Sequence, residues 1–149
     1  MKFISWLLSS VFGIGHLPIA PGTWTSLVVV LVYKLVLYRL AWFYFLLVII
    51  GVFLVGVITS SVTSSQLRKK DPRTVVIDEA AGQLLPLFML SPEWLLLAIS
   101  FFLFRFFDIV KPFPIRKIEK MSSGWGIMLD DVVAGLYTGI ILNIYLLLR

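Results

Sequence analysis

The chain has 149 residues, 60% hydrophobic and 14% charged, with a mean hydropathy of +1.00 and a formal net charge of +5. A soluble domain of this length cannot bury that much apolar surface, so the chain belongs in a bilayer. The excess of 13 Lys and Arg over 8 Asp and Glu fits the positive-inside rule rather than nucleic-acid binding, and the absence of cysteine excludes disulfides, thiolate nucleophiles and zinc–thiolate centres.

The first eight residues, 1–8, have the charge and apolar run of a signal peptide. No small-residue cleavage site follows before Gly13, so the stretch reads as a retained interfacial or membrane-entering helix. Residues 13–26 form a glycine-marked, rigid segment leading into a helix start, where free amides can hold an anion. Thr23 and Ser26 are candidate phosphate ligands there; capping the helix accounts for the same two hydroxyls. His16, the single histidine, is given no role.

Hydrophobic runs broken by charge, Pro or Gly predict five spans, at 26–40, 41–62, 75–90, 92–110 and 126–148. The second is the most secure, since no charged residue occurs from Leu40 to Gln66 and ~20 apolar residues cross ~30 Å of hydrocarbon. Ser91, Pro92 and Glu93 form a helix-start signal ahead of the fourth. Arg68, Lys69, Lys70 and Arg73 follow the second span and Lys111, Arg116, Lys117 and Lys120 the fourth, with mainly Arg39 and Arg149 opposite, which puts both basic loops in the cytoplasm. The expected fold is all-α: one membrane domain over 1–149, a polytopic bundle of about four to five hydrophobic helices with a cytoplasm-facing site.

Two acidic pairs, Asp78/Glu79 and Asp130/Asp131, each stand at the entry of a hydrophobic helix and are followed by small residues. Asp78 to Gly82 and Asp131 to Gly135 are both four apart, so each carboxylate shares a helix face with a glycine where another helix can approach closely. Carboxylates brought together at a membrane boundary repel unless a cation lies between them, and hard oxygen ligands suit Mg²⁺ or Mn²⁺. Either pair alone is explained by the helix macrodipole; two matched pairs near membrane depth favour function.

Between the pairs, Arg105, Asp108 and Lys111 recur every three residues on one helix face, ended by Pro112 and Pro114 with Arg116 just beyond. Phosphate oxygens are plausible targets for the cations, with Asp108 orienting one of them; an Arg105/Asp108 salt bridge and snorkelling cations explain the pattern equally well. Several phosphoryl-transfer chemistries are missing their parts. There is no cysteine, no second histidine, no Asp-x-Asp pair and no nucleotide-binding Gly-rich lysine loop, which leaves carboxylates with a metal.

Residues 18–23 (PIAPGT), 75–82 (VVIDEAAG), 104–115 (FRFFDIVKPFPI) and 124–135 (GWGIMLDDVVAG) together resemble the phosphatidylglycerophosphatase A family, in order and over nearly the whole chain. The resemblance carries the family's motif positions onto Pro21, Gly22, Thr23, Ser26, Asp78, Glu79, Gly82, Arg105, Asp108, Lys111, Pro112, Pro114, Asp130, Asp131 and Gly135, with Thr25 where the family pattern has glycine. It implies a bacterial inner-membrane enzyme that uses Mg²⁺ to hydrolyse phosphatidylglycerophosphate to phosphatidylglycerol and phosphate. On that basis Asp78, Glu79, Asp130 and Asp131 are expected to hold Mg²⁺ or supply the base, with Lys111 also catalytic. Thr23, Ser26, Arg105, Lys111 and Arg116 are expected to bind phosphate, and Asp108 to orient a cation. Anionic lipids are the expected partners, nucleic acid is not, and the oligomeric state is open. A phosphatase of another lipid or isoprenoid phosphate, a small ion-conducting transporter and a non-catalytic assembly factor are the alternatives.

Overall fold

The computed structural model describes residues 2–121 and 123–148, and all their regular structure is helical, with no strand among them. Seven α-helices occur in order: α1 (Lys2–Ser9), α2 (Pro21–Leu35), α3 (Trp42–Leu67), α4 (Ile77–Leu87), α5 (Trp94–Val110), α6 (Ile115–Ile118) and α7 (Ser123–Leu148). Met1 and Arg149, on which the amino-terminal helix and the far-side charge partly drew, lie outside the described residues.

Two helices are long and apolar enough to cross a membrane, Trp42–Leu67 with 26 residues and Gly124–Leu148 with 25, each about 38 Å long. Both leave most of their surface outside the packed interior: Phe43, Leu47, Leu54 and Ile58 on α3 and Ile140, Ile144 and Leu147 on α7 are exposed. So large an apolar exterior fits a protein sheathed in lipid. Of the other expected spans, those at 75–90 and 92–110 are shorter than their sequence runs, and the one at 26–40 keeps its length but lies five residues earlier, at Pro21–Leu35. α2 has 15 residues, α5 17 and α4 only 11, or about 23, 26 and 17 Å against ~30 Å of hydrocarbon.

The run expected to span at 75–90 is therefore not one continuous crossing helix. Pro86 falls in the last turn of α4 and has no amide to give the Gly82 carbonyl, and the chain turns extended at Phe88. Nor does the Ser91–Pro92–Glu93 signal cap α5 as expected. Glu93 occupies the cap position without a side-chain capping bond, and the Pro92 carbonyl instead accepts a hydrogen bond from Lys34 Nζ.

α3 and α7 run antiparallel, with the start of α7 beside the second half of α3: the Gly124 amide donates to Ser61 Oγ at 2.9 Å, and Met128 fills the space a side chain at Gly56 would take. α2 and α5 join the two ends of the same bundle. At the far end Tyr33 donates to the Leu90 carbonyl, and Lys34 lies over the Trp94 ring at 5.1 Å. At the near end the carboxy termini of α3 and α5 and the amino termini of α2, α4 and α7 come together. α1 packs along α3, with Ser9 and Thr63 hydroxyls 2.9 Å apart in the interior. Apolar layers fill both halves, Tyr33, Phe45, Leu87, Leu96 and Leu142 in one and Val57, Ile77, Ala81 and Met128 in the other.

The α4–α7 crossing fixes the position of the acidic residues. A Cβ on Gly135 would lie 2.3 Å from the Gly82 carbonyl oxygen, and one on Gly82 would lie 2.6 Å from the Asp131 carbonyl oxygen. The carbonyl that Pro86 leaves without its helical donor is thus pressed against the partner helix's glycine, where a weak Cα–H contact is available to it.

Candidate active site

A cavity of about 340 Å³ opens at the near end of the bundle, lined by residues of α2, α4, α5, α7 and the α3–α4 loop. Asp78 and Glu79 enter it from the first turn of α4, where the helix dipole favours negative charge. Asp130 and Asp131 enter from α7, one helical turn from the glycine crossing. Asp78, Asp130 and Asp131 are 8%, 4% and 3% exposed, so these carboxylates are removed from water.

Asp78, Glu79 and Asp131 each offer one carboxylate oxygen, and the three ligand atoms lie within 4.8 Å of one another. Asp78 Oδ1, Glu79 Oε2 and Asp131 Oδ2 are buried with no hydrogen-bond partner. Buried carboxylate oxygens left without donors are costly, and the convergence of three carboxyl groups compounds the cost through repulsion. Hard oxygens at this spacing fit a divalent cation such as Mg²⁺.

Asp130 does not join the three. Its Oδ2 accepts from Lys111 Nζ at 2.8 Å, and its Oδ1 accepts from the Asp131 amide at 3.1 Å. Lys111 also pairs with Glu119 at 3.1 Å. Burial works against the lysine's charge, but the hydrogen bonds and charges of Asp130 and Glu119 outweigh it and hold the ammonium above its ordinary pKa. Because the pKa is raised, this pairing stabilises the fold below the normal lysine value for as long as its carboxylate partners stay ionised, and it is lost as pH climbs through the raised one.

Lys111 ends α5 in a left-handed conformation, φ 47°, and Ala20 ahead of α2 does the same, φ 46°. A non-glycine residue in that region costs about 1–2 kcal/mol. Both strained residues line the cavity. On the next turn of α5, Arg105 Nη1 lies 2.7 Å from Asp108 Oδ2 and 4.0 Å from Glu79 Oε1, so the Arg105–Asp108 salt bridge expected as one alternative is present. Arg105 Nε remains buried and without a partner inside the cavity wall.

The first loop meets the site differently from its expected cradle. α2 begins at Pro21, so Thr23 and Ser26 lie inside the helix, with Ala20 at the cap position, and neither lines the cavity. Ser26 is fully buried and its Oγ has no partner, while Thr25 turns its hydroxyl back to the Pro21 carbonyl at 3.1 Å. Gly22 makes the close contact: a Cβ there would sit 1.9 Å from Glu79 Oε1. Arg116 stands apart, exposed, donating to the Val110 carbonyl at 3.2 Å.

Two lining residues, Asp71 and Arg73, are not among those the sequence points to. Both sit in the α3–α4 loop, whose charges the positive-inside rule absorbs. The available signal was Asp71, an acid set among Lys69, Lys70 and Arg73.

Buried carboxylates and basic side chains thus converge on one cavity at the end of a helical bundle, a set of parts that suits metal-assisted phosphoryl transfer. A family profile described as Phosphatidylglycerophosphatase A matches residues 7–146, and the chain belongs to that family. It is 41% identical to Phosphatidylglycerophosphatase A of Haemophilus influenzae over 91% of this chain and 84% of that protein. With Phosphatidylglycerophosphatase A of Escherichia coli it is 37% identical, over 91% of this chain and 80% of that one. A protein of Bacteroides thetaiotaomicron described as a candidate phosphatidylinositol-3-phosphatase is 35% identical over 96% of this chain and 94% of its own length. No solved structure matches.

Proposed function

We propose that this protein removes the terminal phosphate of phosphatidylglycerophosphate, leaving phosphatidylglycerol, at the acidic cavity with Mg²⁺ held by Asp78, Glu79 and Asp131. The observation carrying the reading is that Asp78, Glu79 and Asp131 bring carboxylate oxygens within 4.8 Å of one another, and each of the three also has a buried oxygen without a hydrogen-bond partner, in the same cavity as Arg105 and Lys111. The names of the Haemophilus influenzae and Escherichia coli relatives support the substrate.

When bound, the cation offsets the charge of the three carboxylates and draws electron density from the phosphoryl group. Arg105 has a buried Nε–H to give a phosphate oxygen, and Asp108 holds its guanidinium in place. Lys111 directs its ammonium into the cavity between Asp130 and Glu119, so Asp130 acts as its positioning partner. The residues that would balance charge on the phosphoryl group are thus held before substrate arrives.

Lipid tails stay in the bilayer while the headgroup reaches the cavity. Ile109, 70% exposed, both lines the cavity and continues the apolar surface of α5 formed by Phe102 and Phe106. The basic loops after α3 and α5 share the cavity's end of the bundle, so by the positive-inside rule the site faces the cytoplasm, in the bacterial inner membrane. On this reading α2 and α5 cross beside α3 and α7, since they join the same two ends, and α4 reaches only part way.

Purified protein in uncharged detergent is expected to release phosphate from phosphatidylglycerophosphate at least about tenfold more efficiently than from phosphatidylinositol 3-phosphate or phosphatidic acid. A preference for phosphatidylinositol 3-phosphate would move the substrate to that named for the Bacteroides thetaiotaomicron relative, and no release from any of the three would end the phosphatase reading. Chelation is expected to abolish release and Mg²⁺ to restore it. By mass action Mg²⁺ at about 100 times its Kd should also add roughly 2.7 kcal/mol of stability. Absence of any thermal shift on adding Mg²⁺ would remove the metal from the site, whatever the activity.

A further inference from the structure

Three cations line the cavity, Arg73, Arg105 and Lys111, against six acids, Asp71, Asp78, Glu79, Asp108, Asp130 and Asp131. Arg105 and Lys111 are each committed: one pairs with Asp108 at 2.7 Å, the other with Asp130 at 2.8 Å and Glu119 at 3.1 Å. Each can lend N–H donors to a substrate, but with its carboxylate partner it brings almost no net positive charge.

Arg73 differs. It forms no ion pair with any of the cavity's six acids. Its Nη2 donates to the Pro18 carbonyl at 2.6 Å, which ties the α3–α4 loop to the first loop and holds the guanidinium at the mouth. The two loops also approach closely at Gly15, where a Cβ would lie 2.0 Å from the Thr74 carbonyl oxygen, and the Val76 amide ties the α3–α4 loop to the end of α1 by donating to the Ser9 carbonyl at 2.9 Å. One N–H of five is spent on this anchor, and the side chain is exposed, so the remaining donors and the whole charge are open to an incoming group.

The phosphatase reading, on which this step rests, requires the cavity to take an anionic headgroup although its own acids outnumber its cations. A divalent ion on the carboxylate trio offsets part of that excess; an uncommitted guanidinium at the entrance offsets more and matches phosphate oxygens in geometry. We infer that Arg73 is the residue that recognises a headgroup phosphate at the mouth of the cavity, by its free charge and its unused N–H donors. The basic residues Arg68, Lys69, Lys70 and Arg116 are not in the cavity lining and do not share this role.

Equilibrium binding to the full-length protein with Mg²⁺ present tests this, with inorganic phosphate and dioctanoyl phosphatidylglycerol as separate probes. The first offers the chemistry of the leaving phosphate and the second only the phosphodiester. Arg73→Gln is expected to weaken at least one probe roughly tenfold and to flatten the dependence of that binding on salt. Arg73→Lys, which keeps the charge but loses the planar fork, should restore the salt dependence and recover part of the lost binding. The probe that weakens identifies which phosphate Arg73 meets. In parallel turnover of phosphatidylglycerophosphate, KM should rise in Arg73→Gln while kcat stays within about threefold. Binding of both probes within about twofold of wild type in Arg73→Gln would overturn the inference. So would equal weakening in both variants with the salt dependence intact, since Arg73 would then serve only to tie the loops. Failure of the wild type to release phosphate would count against the phosphatase reading alone, because the binding measurements need no turnover.

Discussion

Asp131→Asn is expected to lower phosphate release by about a thousandfold while the variant remains folded and, without metal, melts no lower than wild type. The two halves of this result have one cause. Asp131 Oδ2 is buried without a donor, as are Asp78 Oδ1 and Glu79 Oε2, and the three carboxyl groups lie close together, so the wild-type protein carries a local electrostatic cost that a bound cation would offset. An amide of the same shape removes one charge from that cluster. Asp78→Asn should behave alike, because Asp78 supplies an equivalent oxygen from the opposing helix. The thermal shift produced by Mg²⁺ should shrink in both variants, separating loss of the cation site from loss of fold. Turnover of either variant within about tenfold of wild type would remove the trio from catalysis. Asp130→Asn is predicted to do less damage to Mg²⁺ binding, since Asp130 is turned to Lys111.

Gly135→Val should be nearly as damaging to activity, about a hundredfold, and should also unsettle the fold, lowering the melting temperature by roughly 5–10 °C. The added Cβ would fall 2.3 Å from the Gly82 carbonyl oxygen and 3.1 Å from its carbonyl carbon. Those are backbone atoms in the middle of α4, so no side-chain rotation relieves the clash and the two helices must separate. Asp78 lies one turn from Gly82 and Asp131 one turn from Gly135, so separation at the crossing pulls the carboxylates apart. Gly51→Ala is the matched control: nothing lies within 4 Å of a Cβ there, and alanine favours the helix by about 1 kcal/mol over glycine. If Gly135→Val matched Gly51→Ala in melting temperature and turnover, the crossing would not be what assembles the site.

The amino-acid sequence by itself determined that the protein is helical, with stretches apolar and long enough to cross a membrane, and it marked the acidic and basic motifs at 78–79, 105–111 and 130–131 that meet in the cavity. Uninterrupted apolar stretches such as 40–66 leave a bilayer helix as the arrangement that satisfies every backbone amide, and a carboxylate four residues from a glycine marks a helix face whatever surrounds it. The motifs at 75–82, 104–115 and 124–135 were equally legible, because their residues are adjacent in the chain.

Only the tertiary structure decided how those residues divide their work. Glu79 joins Asp78 and Asp131 because α2 approaches at Gly22, whereas Asp130 is drawn off by Lys111, whose side chain is aimed by a left-handed turn at the end of α5. Pro86 shortened the expected third span by ending α4, and the helix starting at Pro21 took Thr23 and Ser26 away from the cavity lining. Asp71 and Arg73 entered the site from a loop whose local composition speaks only of membrane orientation. Periodicity fixes the face of a residue on its own helix; which charge it meets across the bundle depends on crossings and loop paths between segments distant in sequence, and those are set by close packing at a few small residues.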